Sequence, residues 1–146
     1  MKHRIFITDF PSDTRLQLSD VVGWLANVLD HYKATIHRLS YTFVSAERLL
    51  TINQNHLDHH DHTDIITFSF GTDQHIDADI YICTERWKEN AKINNQSIED
   101  ELLRLLSHGF LHCLGYNDKS SAEKIEMRAE ENRCIAMFHV KHHLYV

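Results

Sequence analysis

The stretch that decides the fold is "ELLRLLSHGFLHCLGYND", residues 101–118. Its leucines and phenylalanine fall on nearly every side of a helix, and a helix of that kind is buried in the middle of a domain. His108 and His112 lie four residues apart, so both imidazoles leave the same helix face. Gly115 ends the helix, and Asp118 follows where the chain can turn back. The stretch therefore predicts a buried helix with metal-binding side chains at its C-terminal end.

The spacing of these side chains predicts a metal site with an open position. Two unpartnered imidazoles on a buried helix would be costly, and a metal ion satisfies both. The spacing matches the metzincin motif H-E-x-x-H-x-x-G-x-x-H, except that Gly109 stands in place of the glutamate base and Asp118 in place of the third histidine. We expect one Zn²⁺ per chain on His108, His112 and Asp118, with the fourth position open as in catalytic zinc sites. Manganese, iron and nickel also suit these donors.

Gly109 interrupts a helix that would be more stable without it. A glycine in a helix interior costs about 1 kcal/mol relative to alanine. Its presence between the two histidines predicts close approach of a strand or of a substrate.

The rest of the chain predicts an α/β (α+β) fold in one domain, residues 1–146. The sequence has only one proline and four glycines, which argues against a linker between two domains. Residue periodicity and capping patterns predict strands at 5–8, 36–44, 65–70 and 76–83, and helices that begin near Ser19, Ser45, Thr84, Ser97 and Ser120 or Ser121. We expect about four strands in a mixed sheet, with a hairpin and helices packed on it.

Composition limits the possible partners. The net charge is −6, and residues 57–101 alone carry eleven acids against three bases. The bulk basic character of many nucleic-acid-binding proteins is absent, so an RNA partner would need the metal and local bases such as Lys119, Lys124 and Arg128. No apolar run approaches a membrane span, and no signal peptide is evident. Three cysteines without a C-x-x-C pair favour free thiols and a cytoplasmic location.

Several further groups leave alternatives open. The segment "HLDHHDHTD", residues 56–64, with His56, His59, His60 and His62, is either a second metal site or, the favoured interpretation, a solvated loop. Asp64 and Asp79 either orient a ligand histidine or serve in turns and caps. The acids and bases between Glu123 and Arg133 predict an exposed, salt-bridged helix face.

Three blocks of the sequence resemble the YbeY family of bacterial endoribonucleases. Residues 108–118, "HGFLHCLGYND", resemble the family pattern H-G-x-L-H-x-x-G-Y-x-x-H. Residues 63–68, "TDIITF", resemble its T-D-V-L-S-F strand, and residues 78–83, "ADIYIC", its G-D-I-x-I-C strand. Asn53 also fits, and the blocks follow one another at the expected spacing.

The resemblance implies an α/β fold with zinc at a helix end and an enzyme that cuts single-stranded RNA. It further implies processing of rRNA at the 3′ end of the small-subunit (16S) RNA, ribosome quality control and contact with the ribosome. This chain departs from the pattern at Asp118, where the family has histidine, and at Leu57, where it usually has arginine. Arg104, one turn before His108, is a candidate replacement as phosphate contact, or it pairs with Glu101 or another acid.

Two other functions remain open at this point. A zinc metallopeptidase-like hydrolase fits the ligand spacing and the acidic surface, but the absence of the glutamate base opposes it. A non-enzymatic, ribosome-associated module with a structural metal fits the leucine at position 57. No general base is evident from the sequence, although in RNA the 2′-hydroxyl itself can be the nucleophile.

Overall fold

The computed structural model describes residues 4–57 and 63–142, without the side chains of residues 55–57. It has four strands and five helices in the described part: β1 (Ile5–Thr8), α1 (Leu18–His31), β2 (Thr35–Val44), α2 (Ala46–Leu57), β3 (Ile65–Ser69), β4 (His75–Cys83), α3 (Thr84–Ile93), α4 (Ile98–Cys113) and α5 (Ser121–His142). No helix in these ranges has the length and apolar content needed to cross a bilayer.

The four strands form one mixed sheet in the order β1-β2-β4-β3. β1 runs parallel to β2, and β2 runs parallel to β4, whereas β3 pairs with β4 as an antiparallel hairpin. Parallel neighbours need a crossover connection, and α1 supplies it between β1 and β2. The predicted α+β fold, the mixed sheet and the hairpin are confirmed.

Helix α4 lies at the centre of the core, as its apolar sequence predicts. Leu102, Leu106 and Phe110 are fully buried, and the Tyr41 hydroxyl of β2 donates a hydrogen bond to the carbonyl oxygen of Leu106 at 2.7 Å. A Cβ on Gly109 would lie 2.9 Å from Cδ1 of Ile80, a buried residue of β4. The glycine therefore lets α4 approach the sheet closely, which confirms the predicted close contact with a strand.

Helix α5 packs beside α4 and completes the core. Trp24 of α1 lies between Phe110 of α4 and Phe138 of α5, with edge-on ring contacts at 6.3 and 6.0 Å. Its indole N–H donates to the carbonyl oxygen of Cys134 at 2.8 Å, so the one polar atom of the ring is satisfied. This junction fixes α5 relative to α4, the helix that carries His108 and His112.

Two predicted helix starts are confirmed by their caps. The Ser97 hydroxyl accepts from the Asp100 backbone N–H at 3.0 Å, and the Ser45 hydroxyl accepts from that of Arg48 at 3.1 Å. Each bond satisfies one of the backbone donors that a helix start leaves unpaired. The Ser97 cap places the first turn of α4, and with it the register of every site residue on this helix.

Two other predicted starts are wrong by one or two residues. Helix α1 begins at Leu18 after Gln17, so Ser19 lies inside the helix, and the Gln17 side chain makes no capping bond. At α3 the cap is Cys83, whose sulfur accepts from the Arg86 backbone N–H, while Thr84 is already helical. A buried sulfur can accept this bond at 3.5 Å, which cap preferences derived from hydroxyls and carboxylates do not anticipate.

Candidate metal centre and adjoining cavity

The three predicted ligands meet at the C-terminal end of α4. Asp118 places Oδ2 3.3 Å from Nε2 of His108 and Oδ1 3.7 Å from Nε2 of His112. One donor atom from each residue lies within 4.8 Å of the others. Donors bound tetrahedrally to zinc at ordinary bond lengths are about 3.4 Å apart. The arrangement fits a metal ion, and His108, His112 and Asp118 are the residues that could hold it.

The turn after α4 returns the carboxylate to the histidines. Gly115 adopts φ = +102°, which an L side chain rarely accepts, and a Cβ there would also lie 3.0 Å from a carboxylate oxygen of Asp73 in the β3–β4 turn. This left-handed conformation of Gly115 ends the helix and turns the chain back immediately after the last helical turn. Asp118 thus reaches the face from which both imidazoles project.

Glu131 of α5 fixes the orientation of His108. Its Oε2 lies 2.8 Å from Nδ1 of His108, and its Oε1 accepts from Arg104 at 2.9 Å. With Nδ1–H donating to this carboxylate, the lone pair of His108 Nε2 is left facing Asp118, where a metal would bind. Arg104 also donates to the Asn132 side chain at 2.8 Å, so the guanidinium that contacts Glu131 is itself anchored on α5.

The two histidines differ in their affinity for protons. Burial alone would lower the pKa of His108, but the hydrogen bond and charge of Glu131, with the charge of Asp118, raise it above its ordinary value. Burial, and then the positive charge of His108, lower the pKa of His112. Metal ligands must be unprotonated, so a proton competes with a metal more strongly at His108 than at His112.

A cavity of about 450 Å³ extends from His108 and Asp118 between α4 and α5. Its lining includes Asp64, Asn90, Asn94, Glu101, Arg104, His108, Asp118, Lys124, Arg128 and Glu131. Glu101 is only 4% exposed, and its Oε1 has no hydrogen-bond partner among the described residues. Burial raises the pKa of this carboxyl, against the opposing charges of Arg104 and Arg128.

The other candidate residues have these positions. Arg104 pairs with an acid, Glu131, rather than with Glu101, and it also lines the cavity, so its contact with phosphate stays a prediction. The side chain of Asp64 accepts from Asn90 at 2.8 Å, and Asp79 pairs with Arg38. The side chains of His56, His59, His60 and His62 lie outside the described residues, as does that of Leu57, the last residue of α2.

Sequence reasoning missed Glu131 and the role of its helix face. The prediction of an exposed face from Glu123 to Arg133 is wrong for Glu131, which is 4% exposed. The available signal was helical spacing. Glu131 lies four residues after Met127 and four before Ile135, both buried, so it belongs to the apolar side of α5. A carboxylate on that side predicts a buried partner.

Comparison with known proteins identifies the family. The sequence model described as endoribonuclease YbeY matches residues 8–139. The endoribonuclease YbeY of Cytophaga hutchinsonii is 40% identical over 132 residues, covering 88% of this chain and 92% of that protein. That of Flavobacterium johnsoniae is 40% identical over 134 residues, covering 92% and 94%.

A solved structure supports the fold. The solution structure of TM1509 from Thermotoga maritima matches with a TM-score of 0.69 at 23% identity, over 94% of this chain and 90% of that one. At this identity the likeness shows the fold alone. From the family model and the curated relatives, the chain belongs to the endoribonuclease YbeY family.

Proposed function

We propose that this protein is a zinc-dependent endoribonuclease that cuts single-stranded RNA in rRNA processing, including maturation of the 3′ end of the small-subunit rRNA on the ribosome. Family membership supports the cleavage of RNA. The single structural observation that carries the proposal is the convergence of His108, His112 and Asp118, with His108 oriented by Glu131. Its three free cysteines suit the reducing cytoplasm, where rRNA processing would occur.

The ligand set explains what the metal contributes. When bound, zinc supplies a Lewis acid that polarises a phosphate oxygen and lowers the pKa of water. His108, His112 and Asp118 would hold it, and Glu131 would keep the Nε2 lone pair of His108 directed at it. Three protein ligands leave room for one more group, which is the arrangement of catalytic rather than structural zinc sites.

Basic side chains of the cavity provide contacts for the RNA backbone. Lys124 and Arg128 line it from α5, one helical turn apart. Arg104 uses donors for Glu131 and Asn132, and a guanidinium has five N–H donors in all. We propose that a remaining donor of Arg104 contacts a phosphate. These three cations partly offset the four acidic side chains that line the same cavity, where the phosphates would lie.

The absence of a glutamate at position 109 separates this proposal from a peptidase. A zinc peptidase needs that glutamate to take a proton from water, and Gly109 instead serves the packing of α4 on Ile80. RNA carries its own nucleophile in the 2′-hydroxyl, so the reaction does not require a side chain there. The same argument predicts that RNA, and not DNA, is cut.

The metal content of the purified, untagged protein tests the proposal. We expect about one zinc per chain by mass spectrometry of the acid-digested protein, and its loss in His112→Ala together with cleavage of a single-stranded RNA. His37→Ala is the matched control, since it removes an exposed histidine of β2 far along the chain from the ligands. Wild-type protein that holds no metal after reconstitution, or RNA cleavage unchanged in His112→Ala, contradicts the proposal.

A further inference from the structure

Glu101 is a buried carboxylate that the fold leaves incompletely satisfied. It lies in the first turn of α4 and lines the cavity that begins at His108 and Asp118. The side chain of Asn94 hydrogen-bonds to the carboxylate, yet Oε1 has no partner among the described residues. A buried acceptor without a donor is costly, and native structures keep few of them.

The position of Glu101 excludes a direct part in the chemistry at the metal. Seven residues separate it from His108, which is a rise of about 10 Å along the helix. Helical side chains also lean toward the N-terminus, which carries the Glu101 carboxylate away from the ligands. A general base must come within about 3 Å of the proton it takes. Any part of a substrate that contacts Glu101 therefore lies beyond the reacting phosphate.

The groups around Glu101 form a pocket of mixed polarity. Arg104 of α4 and Arg128 of α5 bring positive charge, and Asp64 brings negative charge. Apolar walls come from Ile65 and Met127. About 450 Å³ lies within the range of small-ligand sites, and such sites combine apolar walls with a few placed polar groups.

We propose that this cavity holds one nucleoside of the RNA next to the cleaved phosphate, and that Glu101 accepts a hydrogen bond from an amino group of its base. The proposal rests on the proposed function, because it names the part of the RNA that the same site recognises. A carboxylate accepts well from exocyclic amines such as that of cytosine. Adenine and guanine carry such a group too, whereas uracil has none and shows carbonyl oxygens on either side of its one N–H. The carboxylate therefore selects against uracil at this position.

Glu99 shows what a purely structural glutamate looks like on the same helix. It is as deeply buried as Glu101, but its Oε2 accepts from both the Thr14 hydroxyl and the Arg15 backbone N–H at 3.0 Å. The chain supplies its donors. At Glu101 the missing donor is left for a ligand.

Relative cleavage rates of matched RNAs test this selection. The substrates are short single-stranded RNAs that differ only in one base, A, C, G or U, at each position around the cleaved bond. With wild-type protein we expect kcat/KM at one position to be roughly tenfold lower for uracil than for the amino-bearing bases. In Glu101→Gln the ratio of kcat/KM for the amino-bearing bases to kcat/KM for uracil should fall to near one, because an amide both donates and accepts hydrogen bonds. Glu99→Gln is the control and should leave the ratio unchanged.

Binding provides a second readout that needs no cleavage. Fluorescence anisotropy with 2′-O-methyl versions of the same oligonucleotides should show the same discrimination in Kd, and Glu101→Asp should lose it if Glu101→Gln does not fold. Wild-type protein that cuts RNA without any preference against uracil, or a preference that survives in Glu101→Gln, overturns this inference and leaves the proposed function intact. Wild-type protein that neither binds nor cuts these RNAs contradicts the proposed function itself.

Discussion

The two sides of α4 differ in whether their buried charged side chains find hydrogen-bond partners within the chain. On the side facing the segment before α1, Glu99 is satisfied by Thr14 and Arg15, groups of the chain itself. On the side facing α5, Glu101 keeps an unpaired oxygen, and the His108 Nε2 faces Asp118 rather than a donor of the fold. Buried polar groups that folding alone requires find their partners within the chain. The cleft between α4 and α5 keeps atoms available for a ligand.

Substitution of the proposed metal ligand Asp118 should have the largest effect on the cleft between α4 and α5. Asp118→Ala should lower RNA cleavage by more than about 100-fold, because loss of a mere supporting partner of a ligand already costs 10- to 100-fold. Asp118 is partly exposed, so the metal-free forms of mutant and wild type should have similar melting temperatures. Cleavage assays and thermal melts measure the two effects.

The outcome also separates a catalytic from a structural metal. In a structural site, metal binding is part of the folding free energy. Chelation of the wild-type protein would then lower its melting temperature strongly or unfold it. Asp118→Ala would cause the same loss of stability. A collapse of activity with only moderate destabilisation keeps the catalytic assignment.

The sequence predicted what local spacing determines. The strand Ile5–Thr8 is as predicted. The convergence of His108, His112 and Asp118 follows from two histidines one turn apart and a glycine that ends their helix. Helical spacing could have indicated that Glu131 is buried, but not that it contacts His108, which lies 23 positions earlier in the chain. Its partner depends on how α5 packs, which is a tertiary property.

The unpaired oxygen of Glu101 lies beyond sequence reasoning for a related reason. The sequence shows three acids together at the start of α4, Glu99, Asp100 and Glu101, all favourable near a helix N-terminus. Asp100 pairs with His139 at 2.5 Å, Glu99 with the N-terminal segment, and Glu101 with neither. Only the packed structure distinguishes the acid that keeps one oxygen without a donor among the described residues.

The orientation of His108 should be the next most sensitive feature of the cleft. Glu131→Gln removes the negative charge that holds Nδ1–H and Arg104, and we expect the Kd for zinc to rise 10- to 100-fold. Glu130→Gln is a matched control, since Glu130 accepts hydrogen bonds from Tyr32 and Arg133 on another face of α5. Competition with a chromogenic chelator measures the affinity. Equal affinities in the two variants would remove Glu131 from the metal site.

Two glycine substitutions test whether α4 is held by the sheet. Gly109→Ala gains helix propensity, but its Cβ would overlap Ile80, so we expect a loss of about 1 kcal/mol in the free energy of unfolding. Gly23→Ala in α1 has nothing within 4 Å of the new Cβ and should gain up to about 1 kcal/mol. Denaturant unfolding of both proteins should show opposite signs. A gain in both would mean that the sheet does not limit α4 at Gly109.

The smallest expected effect is a difference between Glu99 and Glu101 in how each contributes to stability as the pH changes. Burial alone would raise the pKa of Glu99, but the hydrogen bonds from Arg15 and Thr14 lower it below its ordinary 4.5. Its contribution to stability is therefore full above that value and is lost as the pH falls through the lowered pKa. Glu99→Gln should cost about 1 kcal/mol at neutral pH and flatten the fall in stability below pH 4.5.

The contribution of Glu101 to stability should change with pH in the opposite direction. Burial raises its pKa, so its contribution is full at low pH, where the carboxyl is protonated, and is lost as the pH rises through the raised value. Glu101→Gln mimics the neutral acid and should leave the protein as stable as wild type, or more stable, at neutral pH. Denaturant unfolding of both variants between pH 3 and pH 8 measures the difference. If Glu101→Gln destabilises as Glu99→Gln does, the ionised Glu101 is satisfied by the fold, and the contrast between the two sides of α4 fails.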